Sequence, residues 1–433
     1  MHPKLLLELG AQLLRQCLLL EQPCEAVIAR FFRDHRQLGP RERESLADPV
    51  YTVMRRKLLF DHFAPSGSGP RERRLFILGL LYPHSPQVSG ATHAVAPTSD
   101  FWRAALSEAE QAWLAACQSI QVDDLLERHR HNLPEWLVMP LKAAAGTEFW
   151  PLVDSLYQHA ALDLRVNVLQ GKRAEIQTEL AQNGIQTVPS RYSPWGLRAQ
   201  AKPQLSKSAA FNRGAVEIQD EGSQLLALLV DAKRGEMVVD FCAGGGGKTL
   251  ALGAAMRNTG RLYAFDTSAH RLEGLKPRLA RSGLSNVHPA ALAHERDERV
   301  KRLAGKIDRV LVDAPCSGLG TLRRHPDLKW RQTPQTLAQL VQTQAAILSS
   351  AARLVKPGGR LVYATCSFLE SENEQQAQNF MLNHPDFVAL AAEQILADLK
   401  IPSAASLCSN GYLRLWPHRH DTDGFFAAVW VKK

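Results

Sequence analysis

The sequence predicts an α/β protein in which a mostly parallel, doubly wound sheet follows a small α/β unit and an all-helical N-terminal region. From residue 233 to the end, strand-like segments rich in Val and Leu alternate with helical ones, and such alternation is typical of parallel sheets. Residues 1–150 instead repeat apolar residues at the helical period of 3.6. We therefore expect three domains, at 1–150, 151–232 and 233–433.

The N-terminal domain should consist of helices. Between positions 46 and 58 the apolar residues follow a helical spacing: Leu46, Val50, Val53, Met54 and Leu58. Pro49 lies inside this pattern and should kink or break the helix, because proline lacks the backbone N–H that a helix uses. Composition also predicts a loop at 83–100. Charged residues interrupt the leucine-rich N-terminus, which favours an amphipathic helix over a signal peptide.

In the second domain, residues 162–169 alternate like a strand, and 171–185 should form a helix that ends at Gly184. In the third domain, a long helix should begin with Thr333 as N-cap and Pro334 at its first position. Ligands of such sheets bind beyond the carboxyl ends of the strands. Five strands are expected there, at Met237–Phe241, Leu262–Asp266, Asp308–Asp313, Gly359–Thr365 and Phe425–Val431.

Composition narrows the function classes. Lys and Arg number 52 against 43 for Asp and Glu, and the net charge of +9 fits a polyanionic partner such as nucleic acid. The seven cysteines form no CxxC pair, which argues against a disulfide framework or a zinc site and favours reduced thiols in the cytoplasm. No apolar run approaches the ~20 residues that a membrane span needs. We expect a monomer without metal or membrane contact.

Four consecutive glycines, Gly244 to Gly247, follow a strand and precede a helix. Glycines let the backbone approach a ligand closely, and a helix N-terminus offers free N–H groups. The P-loop pattern fails because Cys242 stands at its first glycine, and the dinucleotide pattern fails because Thr249 stands at its last. The ligand class that remains is a nucleoside cofactor that needs no tight phosphate-binding loop. S-adenosylmethionine suits that description. Asp266, at the end of the next strand, can accept hydrogen bonds from ribose hydroxyls.

Two later strands end in cysteines. The first delivers Asp313 and then Cys316, and the second delivers Thr365 and Cys366 to the same edge of the sheet. Because neighbouring strands lie about 4.8 Å apart, these ends can share one site. A basic segment follows the first of these strands, and it suits RNA because arginine pairs with phosphates and tryptophan stacks on bases. Its candidate RNA contacts are Arg323, Arg324, Lys329, Trp330 and Arg331.

These motifs resemble those of the Nop/Sun family of RNA cytosine-5 methyltransferases, which includes the RsmB-type enzymes. The resemblance rests on "DFCAGGGGKT", "DAPCSGLGTLRRHPDLKW" and "YATCS", with "IQDEGSQL" and "DTDGFFAAVW" in support. It covers about 160–433. It implies a Rossmann-like class I methyltransferase domain, an RNA-binding module before it and a loosely NusB-like N-terminal domain. The family's loop usually reads C-A-A-P-G-G-K, so Gly244 and Gly245 loosen it here.

The resemblance also implies roles for individual residues. Cys366 would attack carbon 6 of cytosine, and Cys316 would assist release. Asp313 would bind the N3 and N4 edge of the base, while Lys248 would help keep a cysteine ionised. The implied contacts to S-adenosylmethionine are Cys242, Ala243, Gly244, Gly245, Gly246, Gly247, Lys248, Asp266, Asp313 and an acid after the third strand, for which Asp297 is favoured over His294 and Glu295.

The implied reaction is methylation of cytosine carbon 5 through a covalent cysteine adduct, on a base that is unpaired or flipped out. Ribosomal RNA of the small subunit (16S) is the first substrate expected, and transfer RNA is an alternative. A DNA cytosine methyltransferase is a further alternative, although those enzymes usually place the nucleophile in the Pro-Cys motif. A different class of function is a catalytically weak RNA-binding ribosome-assembly factor that keeps the methyltransferase fold.

Overall fold

The computed structural model describes residues 1–82 and 99–433, which divide into two compact units. The helical unit comprises Met1–His159 together with Thr321–Thr333, and the sheet unit comprises Ala160–Gly320 together with Pro334–Lys433. The helical unit therefore extends beyond the expected boundary at 150. The loop predicted at 83–100 lies almost wholly outside the described residues.

The helical unit is built around a core of leucine, valine and phenylalanine side chains, among them Leu13, Phe31, Val53 and Phe76, all at most 2% exposed. Its helices before position 160, within the described residues, are α1 Pro3–Cys17, α2 Cys24–Asp34, α3 Pro40–Arg55, α4 Lys57–Phe63, α5 Arg71–Leu81, α6 Ser99–Arg103, α7 Glu108–Ser119, α8 Glu127–His131, α9 Glu135–Ala145 and α10 Phe149–Leu156.

A kink or a break was expected at Pro49, and the break is wrong, because α3 continues through this residue to Arg55. Leu46, Val50 and Val53, on either side of the proline, are fully buried. Proline removes one backbone hydrogen bond from a helix, and burial of these side chains offsets that loss. Each buried aliphatic side chain stabilises the fold by roughly 1.5–3 kcal/mol.

The first part of the sheet unit is a small α/β module. Its antiparallel sheet has the order β2-β3-β1-β4, and Leu164, Ile176, Leu180 and Leu197 pack beneath it. The predicted strand and helix are confirmed, and Gly184 follows the helix in the left-handed conformation with φ +76°. The elements are β1 Asp163–Val166, α11 Arg173–Gln182, β2 Thr187–Pro189, β3 Gly196–Ala199, α12 Ala209–Asn212 and β4 Val216–Ile218.

The large sheet has the order β11-β12-β13-β9-β8-β5-β6-β7, and β10 pairs with β13. Strands β9, β8, β5, β6 and β7 are parallel, and the remaining strands are antiparallel. All five predicted strands are confirmed. The strands are β5 Met237–Asp240, β6 Arg261–Asp266, β7 Val287–Ala291, β8 Ile307–Asp313, β9 Val355–Thr365, β10 Phe387–Leu390, β11 Cys408–Ser409, β12 Tyr412–Leu415 and β13 Phe425–Lys432.

Helices cover both faces of this sheet, which confirms the predicted doubly wound α/β fold. Those that precede β8 are α13 Glu221–Val230, α14 Gly247–Ala255, α15 Ala269–Ser282 and α16 Glu298–Arg302.

After β8 the chain passes into the helical unit for the segment Thr321–Thr333. This segment contains the short helix α17 Leu328–Arg331. Within the helical unit, the backbone N–H of Cys24 donates to the carboxylate of Asp327 at 3.2 Å. The expected boundaries placed this segment in the third domain, so its packing among the N-terminal helices is a correction.

The chain returns to the sheet unit at Pro334, where the predicted long helix begins. The helices of this last part are α18 Pro334–Ala352, α19 Glu374–Asn383, α20 Ala392–Asp398 and α21 Pro417–His420. In the described part of the chain, no helix combines the length and the apolar character that crossing a membrane requires.

The close approach of α5 to α3 makes a prediction about stability. A Cβ atom at Gly79 would lie 2.6 Å from the carbonyl oxygen of Pro49 and 2.9 Å from Val53. We expect Gly79→Ala to lower the free energy of unfolding by about 1–3 kcal/mol, since overpacking outweighs the better helix propensity of alanine.

The matched control is Gly274→Ala in α15, where no atom lies within 4 Å of the added Cβ. Alanine there should raise the free energy of unfolding by up to about 1 kcal/mol. Urea denaturation of both variants tests the pair, and equal effects of the two substitutions would contradict the close packing at Gly79.

Candidate active site at the carboxyl edge of the sheet

The glycine turn between β5 and α14 needs glycine for a definite reason at Gly246. This residue has φ +82°, and a Cβ atom there would lie 2.1 Å from Cδ1 of Leu275. Gly244 also has a positive φ of +54°, but a Cβ atom added there would meet no other atom within 4 Å. Because L-residues disfavour positive φ, glycine at both positions lets the chain take this turn shape at the N-terminus of α14 without strain.

Asp266, at the end of β6, holds this turn in place. Its carboxylate accepts hydrogen bonds from the backbone N–H of Gly244 at 2.8 Å and of Ser268 at 2.7 Å. The carboxylate therefore lies beside the glycine turn, as the sequence predicted, and each oxygen keeps a second lone pair for a ligand hydroxyl.

Asp240, which ends β5 directly before the turn, was not among the predicted site residues. It is 1% exposed, its Oδ2 accepts from the hydroxyl of Thr249 at 2.7 Å, and its Oδ1 has no hydrogen-bond partner among the described residues. Burial, together with the nearby charges of Asp313 and Asp266, raises the pKa of Asp240 to about 7. An unpaired buried oxygen beside a glycine turn suits a polar or cationic ligand.

The turn is also held from outside by Arg278 of α15. Its guanidinium donates to the carbonyl of Gly245 and, at 2.9 Å, to the carboxylate of Glu217 in the small module. Glu217 is 3% exposed and also accepts from Arg281 at 2.6 Å. The glycine turn and the small module are therefore joined through Arg278, whose guanidinium contacts both Gly245 and the buried Glu217.

Cys316 and Cys366 meet, as predicted, with their sulfur atoms 3.3 Å apart. They follow the adjacent parallel strands β8 and β9, in which Asp313 pairs with Ala364, and both are partly exposed. The hydrogen bond to Cys366, burial and the charges of Cys366 and Glu372 all raise the pKa of Cys316 well above its ordinary value. The backbone N–H of Gly320 donates to the carbonyl of Cys366 at 2.8 Å and so links the two segments.

Lys248 and Asp313 form an ion pair at this same edge, with Nζ 2.7 Å from Oδ2. Burial alone lowers the pKa of Lys248, but Asp313 outweighs it with help from Cys366 and Asp240, so the net direction is upward. The lysine therefore remains an ammonium near Cys366. The paired carboxylate of Asp313 has lone pairs left to accept further hydrogen bonds, which suits a ligand with an amino group.

Two further residues expected to contact the cofactor, Cys242 and Asp297, have different surroundings. Cys242 lies in the turn, and burial raises its pKa well above the ordinary value, which keeps it unreactive. Asp297 caps the short helix α16, and its carboxylate accepts from the backbone N–H groups of Arg299 at 2.9 Å and Ala293 at 3.1 Å. In the residues that the structure describes, no group of three or more His, Cys, Asp or Glu side chains is placed to hold a metal ion.

The basic segment after β8 lies within the helical unit, which corrects the expectation that all of its candidate residues face RNA. Lys329 is 4% exposed and donates to the carbonyl of Arg55 at 2.9 Å. The indole N–H of Trp330 donates to the carbonyl of Met54 at 2.7 Å, and Arg323 is 2% exposed. Arg324 and Arg331 are partly exposed. Lys329 and Trp330 thus take part in packing within the helical unit, although the composition of the segment predicted contacts with phosphates and bases.

The chain is similar to ribosomal RNA methyltransferases along most of its length. The family described as 16S rRNA methyltransferase RsmB/F matches residues 227–431, and the RsmF/B-like ferredoxin-like domain matches residues 133–205. The chain is 33% identical to the probable ribosomal RNA small subunit methyltransferase B of Synechocystis sp., over 93% of this chain and 94% of that protein. It is 32% identical to ribosomal RNA small subunit methyltransferase B of Yersinia enterocolitica, over 82% and 80%.

Two solved structures are also similar to this chain. The crystal structure of PH0851 superposes with a TM-score of 0.78 and 28% identity, over 100% of this chain and 99% of that one. A methyltransferase homologue from Pyrococcus horikoshii superposes with a TM-score of 0.61 and 26% identity, over 72% of this chain and 100% of that one.

The geometry of the glycine turn makes a prediction. Gly246→Ala should lower the free energy of unfolding by about 3 kcal/mol or more, because positive φ and the contact with Leu275 act together. It should also abolish binding of S-adenosylmethionine in a calorimetric titration. Gly244→Ala is the matched control, with positive φ but open space, and should cost only about 1–2 kcal/mol. Equal losses at both positions would show that Leu275 does not constrain the turn.

Proposed function

Because the chain belongs to the RsmB/F family of ribosomal RNA small subunit methyltransferases, we propose that it methylates carbon 5 of a cytosine in 16S ribosomal RNA through a covalent adduct with Cys366. The family makes it an RNA methyltransferase that uses S-adenosylmethionine. The observation that carries the finer proposal is the 3.3 Å contact between the sulfur atoms of Cys316 and Cys366, at the sheet edge that also holds the Lys248–Asp313 ion pair.

The residues of this edge fit the cofactor. The turn from Cys242 to Lys248 would receive it, Asp266 would accept hydrogen bonds from its ribose, and Asp240 supplies an unpaired carboxylate oxygen nearby. When bound, S-adenosylmethionine supplies an electrophilic methyl group on a positively charged sulfonium. Asp313 and Asp297 as further cofactor contacts stay predictions.

Covalent catalysis is needed because carbon 5 of cytosine is a poor nucleophile. The thiolate of Cys366 adds to carbon 6, and carbon 5 becomes electron-rich enough to accept the methyl group. Lys248 stabilises the thiolate before the attack. Asp313 accepts a hydrogen bond from the N4 amino group and so orients the base beside Cys366. The base must be unpaired or flipped out to reach this position.

Release reverses the addition. A base must take the proton from carbon 5, so that the electron pair of that bond forms the C5–C6 double bond and expels the Cys366 sulfur. The sulfur of Cys316, in contact with Cys366, is in place to remove that proton.

The nucleophile can be tested in cells. A strain without this gene should lack one 5-methylcytosine in 16S ribosomal RNA, detected by bisulfite sequencing. The wild-type gene should restore it, and the Cys366→Ala variant should not, because the neighbouring thiol of Cys316 has a raised pKa and does not replace the nucleophile. Restoration by Cys366→Ala would exclude this nucleophile. A signal lost from transfer RNA instead would change the substrate and leave the chemistry intact.

Release can be tested in vitro. Cys316→Ala should accumulate a protein–RNA adduct that survives denaturing electrophoresis, because attack proceeds while release is slowed. The double variant Cys316→Ala/Cys366→Ala is the matched control and should form none. Absence of the adduct with a methylatable RNA would contradict the division of labour between the two cysteines. Calorimetry with S-adenosylmethionine separates this enzyme from an assembly factor, which would show no binding.

A further inference from the structure

Glu372 is a buried carboxylate that the reaction described above does not use. It ends the short 3-10 turn Glu370–Glu372 that follows Cys366 and is 0% exposed. Its Oε1 accepts from the backbone N–H of Ser317 at 2.8 Å and from the amide of Gln344 at 3.0 Å. Its Oε2 accepts from the hydroxyls of Ser317, at 2.5 Å, and of Ser367. Four donors from three segments of the chain therefore converge on one side chain.

Two of these partners stand next to the reactive sulfur atoms. Ser317 follows Cys316 and Ser367 follows Cys366, and the two hydroxyl oxygens lie 3.1 Å apart. The carboxylate thus ties the two strand ends together one residue beyond the thiols. Hydrogen bonds to a charged acceptor are among the stronger ones in proteins, so this carboxylate is well placed to fix the spacing of the sulfur atoms.

Charge around the two sulfur atoms is unequal. The groups that face Cys316 are the thiol of Cys366, the carboxylate of Glu372, the phenol of Tyr363 and the backbone N–H of Gly318. The first two disfavour a thiolate at Cys316, and the N–H group favours it slightly. The side of Cys366 instead holds the ammonium of Lys248, paired with Asp313.

On the basis of the proposed function, we propose that Glu372 is the positioning residue of the cysteine pair. It holds the two sulfur atoms in contact and keeps the proton on Cys316 until Cys366 has bonded to the base. A negative charge fixed beside one of two touching thiols decides which of them ionises first. Glu372 itself touches neither substrate nor cofactor in this role.

The order of proton movements follows from the same contacts. In the resting site Cys316 keeps its proton and Cys366 attacks carbon 6. Once the Cys366 sulfur is a thioether, its hydrogen bond and charge no longer oppose ionisation of Cys316, which then gives its proton to water. The Cys316 thiolate takes the proton from carbon 5, the C5–C6 double bond forms, and Cys366 leaves as a thiolate. The proton regained by Cys316 restores the resting state.

The effect of the Glu372 charge on the ionisation of Cys316 can be tested without RNA. Alkylation by iodoacetamide, followed by mass spectrometry of the peptides with Cys316 and Cys366, gives the pH profile of each thiol. Glu372→Gln keeps the shape of the side chain and removes its charge, so the Cys316 profile should move to lower pH by about one unit. Glu370→Gln, on an exposed neighbour, is the matched control and should reproduce the wild-type profile. An unchanged Cys316 profile in Glu372→Gln would overturn the proposal.

A second variant covers the case in which Glu372→Gln does not fold. Ser317→Ala removes one hydroxyl donor and leaves the carboxylate charge less neutralised, so the Cys316 profile should move to higher pH. A shift in the opposite direction, or none, would count against the charge effect. A merely structural role of Glu372 would not produce shifts of opposite sign in the two variants.

The positioning role has its own readout in turnover. Glu372→Gln should lower kcat by about tenfold and leave KM for RNA and for S-adenosylmethionine unchanged, and Glu370→Gln should change neither. Unchanged kcat in Glu372→Gln would overturn the role. Because the alkylation profiles need no RNA, they hold or fail separately from the proposed methylation. Shifted profiles in a protein that does not methylate RNA would refute the proposed function and not the role of Glu372.

Discussion

The parallel pairing of β8 with β9 is the constraint on which the site depends. Side by side in the sheet, these strands bring Asp313 opposite Ala364, and so the chain segments that follow them leave at the same edge. Neighbouring strands lie about 4.8 Å apart. Beyond the ends of β8 and β9, the sulfur atoms of Cys316 and Cys366 lie 3.3 Å apart. No local motif could create this contact, since 50 residues separate the two cysteines. The long helix α18 lies in the chain between β8 and β9, and parallel strands need a long connection of this kind.

The same edge collects carboxylates, because three strands end in aspartate. Asp240, Asp266 and Asp313 are the last residues of β5, β6 and β8, and Lys248 is paired with Asp313. Burial and the neighbouring aspartates together raise the pKa of Asp240 to about 7. A positively charged sulfonium is electrostatically matched to such an edge, since it offsets charges whose crowding is costly. The fold thus places three carboxylates beside the glycine turn. At Lys248 it places a positive charge near the sulfur of Cys366.

Sequence patterns predicted the strands and helices whose apolar residues follow a regular spacing. They failed for side chains whose surroundings are set by tertiary packing. The five predicted strands were found, but β7, β10, β11 and β12 of the same sheet were not predicted. Pro289 lies within β7, which is at the sheet edge, where proline is tolerated. The cysteine pair was predictable because strand ends of one parallel sheet converge. Lys329 and Trp330 were misjudged because a basic, aromatic segment has the same composition in a surface loop and in a buried one. The role proposed for Glu372 could not be predicted from the sequence, since it depends on hydrogen bonds from Ser317, which follows β8 and is distant in the chain.

The altered glycine turn illustrates how a local loss of rigidity is offset at a distance. Gly244 and Gly245 have more conformational freedom than other residues and cost more entropy to fix. Asp266 fixes the N–H of Gly244 from inside, and Arg278 fixes the carbonyl of Gly245 from outside. Arg278 is itself held by Glu217 of the small module, so this module contributes to holding the turn. Contacts from both sides of the turn therefore offset part of the conformational freedom that four consecutive glycines bring to it.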